Sequence, residues 1–504
     1  MFKPYVQNQD FLIPPSWDDK IHKDHPVRIV NRVIDSLDLK ALYDSYNNIG
    51  PSPYDPKMLL KAIVFAYLNN VYSSRKIEYQ IKSNIHFIWL CANSEPDHNT
   101  INRFRGKRLS KFLKNIFKEI VLMLAEQGII NIKEIYVDGT KMEANANRYT
   151  FVWGKSVARN KKKMLERIDE LWSYAQNVAK VEMEDTATID YEKVSPEVIA
   201  ETIKRIEEAL KDKEIPKEIK KKLKTAKKEY PSRLAEYQLK EEILEGRNSY
   251  SKTDHDATFM RMKDDKMQNK ELKAAYNIQI STNNQFIVNY DIYQNPGDTL
   301  TLPSHLETYK DLYSFSPATV IADAGYGSEQ NYEYLESNEI ESYVKYNYFH
   351  QEEKGIRQRK QPFSAGYLYY NELADYYVCP MGQKMHTIGA SKKKNESGYE
   401  QSITRYQADN CTGCPLLGPC HKSKGNRVIE INKRLRKLKQ NARENLLSEE
   451  GIKKRKQRSV DVEPVFGNIK QNKGFRRFML RGSKKVTTEF GLLAIAHNLK
   501  KFCA

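Results

Sequence analysis

Two short apolar runs, far apart in the chain, each end in an aspartate. The first is Ile135-Tyr136-Val137-Asp138 and the second is Val320-Ile321-Ala322-Asp323. Runs of this length and composition are typical of buried β-strands. A carboxylate at the end of such a strand is held rigidly at the rim of a sheet. The pattern therefore favours an α/β fold in which Asp138 and Asp323 are candidate site residues.

A third candidate acid, Glu463, lies in a strongly basic stretch near the C-terminus. Residues 451–485 contain twelve lysines and arginines but only two acidic residues, Asp461 and Glu463. Such a field attracts polyanions. Carboxylates beside a nucleic-acid backbone can hold two Mg²⁺ ions, about 3.5–4 Å apart, which activate water and stabilise the leaving oxygen. We therefore interpret Glu463 as a metal ligand, and this chemistry requires further acids such as Asp138 and Asp323.

Three motifs carry a resemblance to a known family. They are Val137-Asp138-Gly139-Thr140-Lys141 followed by Glu143-Ala144-Asn145-Ala146-Asn147, then Ala322-Asp323-Ala324-Gly325-Tyr326, and finally Glu463-Pro464-Val465-Phe466-Gly467 with Lys470 seven residues after the acid. With these motifs the chain resembles bacterial insertion-sequence transposases of the DDE type. A wider signature of that family, Tyr, two residues, Arg, three residues and Glu, is not matched. Arg458 lies one position too early for it, and Arg455 stands in the place of the tyrosine.

The resemblance implies an α/β, RNase H-like catalytic core with a mixed sheet, in which Asp138, Asp323 and Glu463 bind Mg²⁺ or Mn²⁺. It also implies a DNA transposase that binds terminal inverted repeats, cuts a strand there and joins the 3′ hydroxyl to target DNA. The expected partners are transposon-end and target DNA, together with a second copy of the chain in the active complex. Lys470 is expected to contact a phosphate near the cleavage point. Arg458, Arg476 and Arg477 are further candidates for DNA contact.

Two other functions remain open from the residues. One is a catalytically silent DNA-binding protein descended from a transposase, which the loss of an acid would favour, although all three acids are present. The other is an RNase H-like nuclease that acts on RNA. Offering RNA and transposon-end DNA side by side would distinguish this second alternative from a transposase.

The first part of the chain, residues 1–127, is predicted to be an all-helical domain. Asp55 before Pro56 is typical of a helix N-cap followed by a first-turn proline. Considered by itself, a small helical bundle is as often a structural cap as a DNA reader. The run Pro96–Arg105 resembles the N-terminal domain of the same transposases, which favours contacts from Arg103 and Arg105 to the transposon end.

The remaining elements predict a catalytic core interrupted by two insertions. The core comprises residues 128–155, 247–350 and 426–504, the last with a basic helix. Residues 156–246 are predicted to be a helical insertion, and residues 351–425 a small Cys-rich, zinc-binding insertion. The long helices of the first insertion each carry one apolar stripe, and such charged helices are more often solvated structure than DNA-binding elements.

Two polar stretches of the core have competing interpretations. The aromatic and basic run Arg148–Trp153 is equally consistent with DNA contact and with a packed hairpin or lid strand. The rival acids Asp254, Asp256, Asp264 and Asp265 lie in loop-like sequence. We interpret them as surface or supporting residues.

Four of the six cysteines cluster in the sequence: Cys379, Cys411, Cys414 and Cys420. A C-x-x-C pair with two further cysteines is typical of a tetrahedral structural Zn²⁺ site. The alternative is a set of free buried thiols, whereas a disulfide framework is not expected in so long a chain with so few cysteines. Cys91 and Cys503 stand alone and are interpreted as packing residues.

The composition excludes several classes of protein. The 83 lysines and arginines exceed the 65 acidic residues by 18, which agrees with a nucleic-acid partner. The N-terminus does not resemble a signal peptide, and no window reaches the roughly 18 apolar residues of a membrane span. We therefore expect a cytoplasmic protein with no membrane partner.

Overall fold

The computed structural model describes residues 16–46, 52–179, 195–262, 271–395 and 398–503. These residues form two compact units. The first contains the described residues up to Thr140, those from Asn277 to Leu480 and those from Lys484 onward. The second contains the described residues from Lys141 to Tyr276 and from Arg481 to Ser483. This division follows spatial contacts, and the functional segments expected from the sequence remain a prediction.

Helices account for most of the regular structure. In chain order they are α1 (Pro26–Ser36), α2 (Lys40–Asp44), α3 (Pro56–Leu68), α4 (Ser74–Ser83), α5 (Ile85–Leu90), α6 (His98–Arg103), α7 (Leu113–Glu126), α8 (Gly154–Ala179), α9 (Pro196–Leu210), α10 (Lys217–Leu244), α11 (Leu302–Tyr313), α12 (Glu329–Ser337), α13 (Phe349–Glu353), α14 (Ile356–Lys360), α15 (Lys433–Leu447), α16 (Glu449–Asp461), α17 (Glu463–Gly467) and α18 (Ser483–Phe502). None of the described helices is long and apolar enough to span a bilayer.

The strands belong to three sheets. In chain order they are β1 (Glu134–Glu143), β2 (Phe151–Trp153), β3 (Ser249–Ser251), β4 (Thr258–Arg261), β5 (Leu272–Asn283), β6 (Phe286–Tyr293), β7 (Thr319–Ala322), β8 (Glu341–Val344), β9 (Tyr370–Asn371), β10 (Tyr376–Val378), β11 (Lys384–Lys394), β12 (Glu400–Ala408) and β13 (Val428–Ile431). The main sheet has the order β4-β5-β1-β7-β8, with β6 paired to β5.

The N-terminal helices of the first unit follow the sequence prediction. The Asp55 carboxylate accepts a hydrogen bond from the Met58 amide at 2.9 Å, which confirms the predicted cap of α3. Helix α3 is buried along most of its length and forms the centre of this helical region. At the start of α6, the Asp97 carboxylate caps the first turn through the Thr100 amide, and a π-helical turn at Phe104–Arg108 follows the helix.

The sheet of the first unit combines both strand directions. Strand β7 pairs in parallel with β1 and with β8, whereas β5 and β6 form an antiparallel hairpin. The hairpin turn is Asn284-Gln285, and both residues have positive φ, as a two-residue turn of this kind requires. The expected α/β fold class, with a mixed sheet and a helical N-terminal region, is confirmed.

The C-terminal helix α18 packs against this sheet. It is buried from Thr488 to Leu499, because its residues are apolar on all sides apart from a few polar groups that have partners. Asn498 is one of these groups. Its side-chain amide accepts from the Ile287 amide and donates to the Ile287 carbonyl, both at 2.8 Å. This pair of bonds fixes the register of α18 on β6.

A buried polar network lies between β5, β6 and α11. His305 contacts the Ser281 hydroxyl at 2.8 Å through Nε2 and the Asp291 carboxylate at 2.5 Å through Nδ1. Thr308 donates to the same carboxylate at 2.6 Å, and the Lys114 ammonium lies 3.4 Å from its other oxygen. Burial by itself would raise the pKa of Asp291, but Lys114 and the hydrogen bonds outweigh burial and lower it. Since His305 is fully buried, we interpret this Ser-His-Asp set as structural.

The cysteine-containing segment forms a five-stranded antiparallel sheet of its own, in the order β13-β12-β11-β10-β9. Its small core contains Leu368, Tyr377, Met385, Tyr406 and Ile429. The sequence analysis did not predict these strands. Much of β11 is exposed and rich in lysine, so the alternation of apolar and polar residues that marks a strand is weak there.

The second unit contains the helical insertion. Helices α8, α9 and α10 share one apolar core that includes Ile168, Ile203, Ile206 and Leu234. The Ser195 hydroxyl caps α9 through the Val198 amide at 3.3 Å. In the strand β2, Phe151 and Trp153 contact Phe259 of β4, which favours the packed interpretation of these aromatic residues.

Candidate active site

The first two candidate acids are brought together by the register of β1 and β7. These strands are parallel, and their last pair is Val137 with Ala322. The next residue in each strand is a candidate acid, so Asp138 and Asp323 extend from the same edge of the sheet. Asp323 follows the end of its strand, as predicted. For Asp138 the predicted strand end is wrong, because β1 continues to Glu143.

A lysine shares this edge. Strand β8 pairs with β7 up to Ala322 with Val344, so Lys345 is the corresponding residue of the third strand. Burial lowers the pKa of Lys345, the nearby Arg458 and Arg455 lower it further, and Asp323 opposes the change. No local sequence pattern identifies Lys345 as a site residue, because its position at this edge follows from the strand register.

Arg458 bridges the two aspartates. Its Nη2 atom lies 3.1 Å from Oδ1 of Asp138 and 3.8 Å from Oδ2 of Asp323. The Arg458 residue is only 7% exposed. Its Nε atom is also buried, with no hydrogen-bond partner among the described residues. The structure thus places Arg458 between the carboxylates, whereas the sequence analysis expected it to contact DNA.

Helix α16 holds Arg458 in this position through contacts along its length. Lys454 forms an ion pair with Glu134 of β1 at 2.7 Å, and Arg455 forms one with Glu353 at 3.1 Å. At the end of the helix, the buried Asp461 accepts from the Thr282 hydroxyl at 2.5 Å. Burial raises the pKa of Asp461. Lys454, Arg455 and Asp461 therefore affect the site indirectly, by holding α16 in place beside the two aspartates.

Glu463 lies beyond a break in the helix. α16 ends at Asp461, and Glu463 is the first residue of the short helix α17. Its side chain is exposed and makes no ion pair or hydrogen bond with the described residues. The structure therefore brings Asp138 and Asp323 together but does not join Glu463 to them.

One acid beside the pair was missed by the sequence analysis. Asp298 lies in the loop between β6 and α11 and accepts hydrogen bonds from the side-chain amides of Asn277 and Gln279. Gln279 also accepts a hydrogen bond from the buried Tyr326 hydroxyl, which follows Asp323 in the chain. Burial raises the pKa of Tyr326 well above its ordinary value, and the charges of Asp298, Asp138 and Asp323 raise it further, whereas Arg458 opposes them. The only sequence signal for Asp298 is its position in a short Pro-Gly turn.

The side chains of Asp138 and Asp323 have the chemistry to bind a divalent cation. They are not grouped with a third ligand in the described residues. Two carboxylates face one positively charged nitrogen, and carboxylate oxygens are the ligands that Mg²⁺ prefers. Across the described ranges, however, no three or more His, Cys, Asp or Glu side chains are grouped to hold a metal ion. The guanidinium of Arg458 occupies the space between Asp138 and Asp323.

Comparison with known families identifies the type of protein. A family model described as a transposase DDE domain matches residues 378–503, and one described as a transposase domain (DUF772) matches residues 15–107. These two matches support a DDE transposase of the insertion-sequence type. Neither a curated protein nor a solved structure matches it. A DDE domain implies an RNase H-like core, which agrees with the mixed sheet. Asp138 and Asp323 lie outside both matched ranges, and Glu463 lies inside the first.

The expected DNA-binding residues of this transposase occupy different environments. Arg103, Arg476 and Arg477 are exposed. Lys470 is buried within a π-helical turn at Asn468–Asn472. The expected DNA contact of Arg105 does not fit the structure, because this residue is 2% exposed and donates to the Tyr67 hydroxyl at 3.0 Å and the Tyr72 carbonyl at 2.7 Å. The local sequence around Arg105 is like that around an exposed arginine, and only the tertiary packing shows that this residue is buried.

The rival acids of the transposase belong to the second unit or lie outside the described residues. Asp254 is buried, which leaves the supporting alternative for this residue, and it accepts hydrogen bonds from Tyr276 at 3.0 Å and from the Gly482 amide at 3.1 Å. Asp256 accepts from the Ser483 amide at 2.7 Å. Both therefore hold backbone in place. Asp264 and Asp265 fall outside the described residues.

The four clustered cysteines are free thiols of intermediate exposure. N–H groups donate to three of the sulfurs. The Gln383 amide donates to Cys379 Sγ at 3.3 Å, and Arg427 donates to Cys411 Sγ at 3.3 Å through its backbone amide and to Cys420 Sγ at 3.0 Å through its guanidinium. Among the described residues, these four cysteines are not grouped as a set of metal ligands. Zinc binding therefore remains a prediction.

Proposed function

We propose that this transposase binds terminal inverted repeats and catalyses metal-dependent DNA strand cleavage followed by strand transfer. The observation that carries the proposal is the in-register placement of Asp138 and Asp323 at one edge of the sheet, where they share a single cationic partner. The match to a transposase DDE domain supports the same activity.

Asp138 and Asp323 would hold Mg²⁺ or Mn²⁺ at this edge, and Glu463 is proposed as a third acid. When bound, two such ions activate a water molecule and stabilise the leaving oxygen of a phosphodiester. The residues of the chain itself supply the rigid frame. The strand register sets the spacing of the two aspartates, and the ion pairs of Lys454 and Arg455 keep α16 beside them.

The DNA backbone is proposed to contact the exposed arginines Arg103, Arg476 and Arg477, together with Lys470 near the cleavage point. Each arginine that neutralises a phosphate releases counterions, so binding should weaken as the salt concentration rises. We further propose that the active complex contains two copies of the chain, because two ends of an element must be brought together.

Substitution of the exposed arginines tests this interface in the full chain. Arg476→Gln and Arg477→Gln should each weaken binding to end DNA and to random duplex by about the same factor, and should lower the salt slope by roughly one. Arg103→Gln should weaken binding to the end sequence more than to random duplex, since α6 is proposed to read that sequence. Fluorescence anisotropy over a salt series measures both effects.

Lys204→Gln is the matched control, because Lys204 is an exposed cation on α9 of the helical insertion. It should leave the affinity and the salt slope unchanged. An equal loss of affinity for end and random DNA in Arg103→Gln would remove end recognition from α6.

We also propose that Cys379, Cys411, Cys414 and Cys420 bind one structural Zn²⁺. Thiolate ligands lose their protons on binding, so metal binding and local folding are coupled. Elemental analysis should therefore return about one zinc per chain, and Cys414→Ser should lower this content severalfold. Cys503→Ser is the control, because Cys503 directly follows α18 and is not one of the four clustered cysteines. Purified protein without zinc, or an unchanged content in Cys414→Ser, would contradict the proposal.

A further inference from the structure

The loop residue Asp298 has one oxygen that is fixed and one that is available. Oδ1 accepts hydrogen bonds from Asn277 Nδ2 at 2.8 Å and from Gln279 Nε2 at 2.9 Å, and both donors are fully buried on β5. Oδ2 accepts no hydrogen bond from the described residues. Two amides therefore orient this carboxylate and leave half of its acceptor capacity unused.

Two glycines show how closely Asp298 approaches the aspartate pair. A Cβ atom at Gly139, next to Asp138, would lie 2.3 Å from Gln279 Nε2 and 2.7 Å from Asp298 Oδ1. A Cβ atom at Gly325, two residues after Asp323, would lie 3.8 Å from Asp298 Oδ2. Only a residue without a side chain leaves room for Asp298 at the first position. Asp298 thus sits against the backbone that follows both aspartates.

The charges of this cluster are not balanced. Asp138, Asp298 and Asp323 all raise the pKa of the same tyrosine, Tyr326, which places the three carboxylates around one buried hydroxyl. The nearby positive charges are Arg458 and Lys345. Asp298 itself forms no ion pair with the described residues. With Arg458 and Lys345 beside three carboxylates, the cluster retains an excess of negative charge, which favours a site that accommodates a further cation.

We propose that Asp298 is a further carboxylate ligand of the divalent cation, presenting Oδ2 beside Asp138 and Asp323. This inference rests on the proposed metal-dependent function. It also gives a role to the two side-chain amides of β5, because their hydrogen bonds hold a ligating carboxylate in one orientation. Arg458 would have to leave the space between Asp138 and Asp323 for all three acids to reach one ion.

Binding of Mn²⁺ to the full chain without DNA, measured by electron paramagnetic resonance, tests the role of Asp298. Asp298→Asn keeps the shape and one oxygen acceptor for the two amides but removes the charge, so the Mn²⁺ affinity should fall at least about tenfold. Asp311→Asn is the matched control, because Asp311 is an exposed aspartate on the neighbouring helix α11. It should bind Mn²⁺ with the affinity of the wild type.

An affinity of Asp298→Asn equal to that of the wild type would overturn the inference and leave Asp298 as a structural acceptor only. If the wild type binds no Mn²⁺, both the inference and the proposed metal dependence fall. A second measurement needs no variant: Fe²⁺ with ascorbate and peroxide cuts backbone near a bound metal. We expect cuts near residues 138, 298 and 323. Cuts near 138 and 323 alone would also overturn the role of Asp298.

Discussion

Asp138→Asn and Asp323→Asn are each expected to lower the rate of DNA cleavage and joining by at least about a thousandfold, and Glu463→Gln is expected to have a comparable effect. Each change keeps the shape of the side chain but removes the anionic oxygens that hold a metal ion. Binding to end DNA should be retained or slightly strengthened, because phosphate contacts come from basic residues and a negative charge has been removed. Cleavage of a labelled end duplex, with binding measured in parallel, gives both quantities.

The structural support for this prediction differs among the three acids. Asp138 and Asp323 share Arg458, whereas Glu463 stands apart on α17. Asp461→Asn is an informative comparison, because Asp461 lies two residues from Glu463 but faces Thr282 and the β5–β6 turn. Asp461→Asn should mainly lower the free energy of unfolding. It should have little effect on the metal dependence of cleavage. Full activity in any one of the three acid variants would remove that residue from the site.

Asp291→Ala is expected to lower the stability of the first unit by about 3–5 kcal/mol. The change leaves the partly buried Lys114 and the buried His305 without the carboxylate that they share, and loss of such a partner is strongly destabilising. Thermal unfolding of the variant and the wild type measures the loss. Asp311→Ala, an exposed change on α11, should shift the midpoint little.

The same network predicts a dependence of stability on pH. The folded pKa of Asp291 is lowered, so its contribution is present above the ordinary carboxyl range near pH 4 and is lost as the pH falls through the folded pKa. The difference between the wild type and Asp291→Ala should therefore be constant near neutral pH and shrink in acid. A difference that grows in acid would contradict the role of Asp291 as a buried anion.

The sequence predicted those parts of the fold and the site that local patterns determine. Asp55 marks a helix start, and the apolar runs before Asp138 and Asp323 mark strands, because each signal depends on residues a few positions apart. The continuation of β1 past Asp138 was not predictable in this way. Apolar character ends there, yet the backbone remains extended through Gly139 and Thr140.

Features that depend on distant parts of the chain escaped prediction. Asp298 acquires its position from amides on β5 and from space left by Gly139, and neither is near it in sequence. The sequence predicts an exposed side chain for Arg105, but packing against Tyr67 and Tyr72 buries it. Arg458 likewise reads as one more cation in a basic helix, and only the strand register reveals that it faces two carboxylates.

The most direct test of the account is the reaction of the wild-type protein with a labelled inverted-repeat end, with Mg²⁺ and a supercoiled target plasmid present. A matched RNA–DNA hybrid is offered in the same experiment. We predict a nick at the end of the repeat and a covalent joint between its 3′ end and the plasmid, both dependent on the metal. Degradation of the RNA strand with no joined product, or binding of the end without any nick in Mg²⁺ or Mn²⁺, would contradict the assignment as an active transposase.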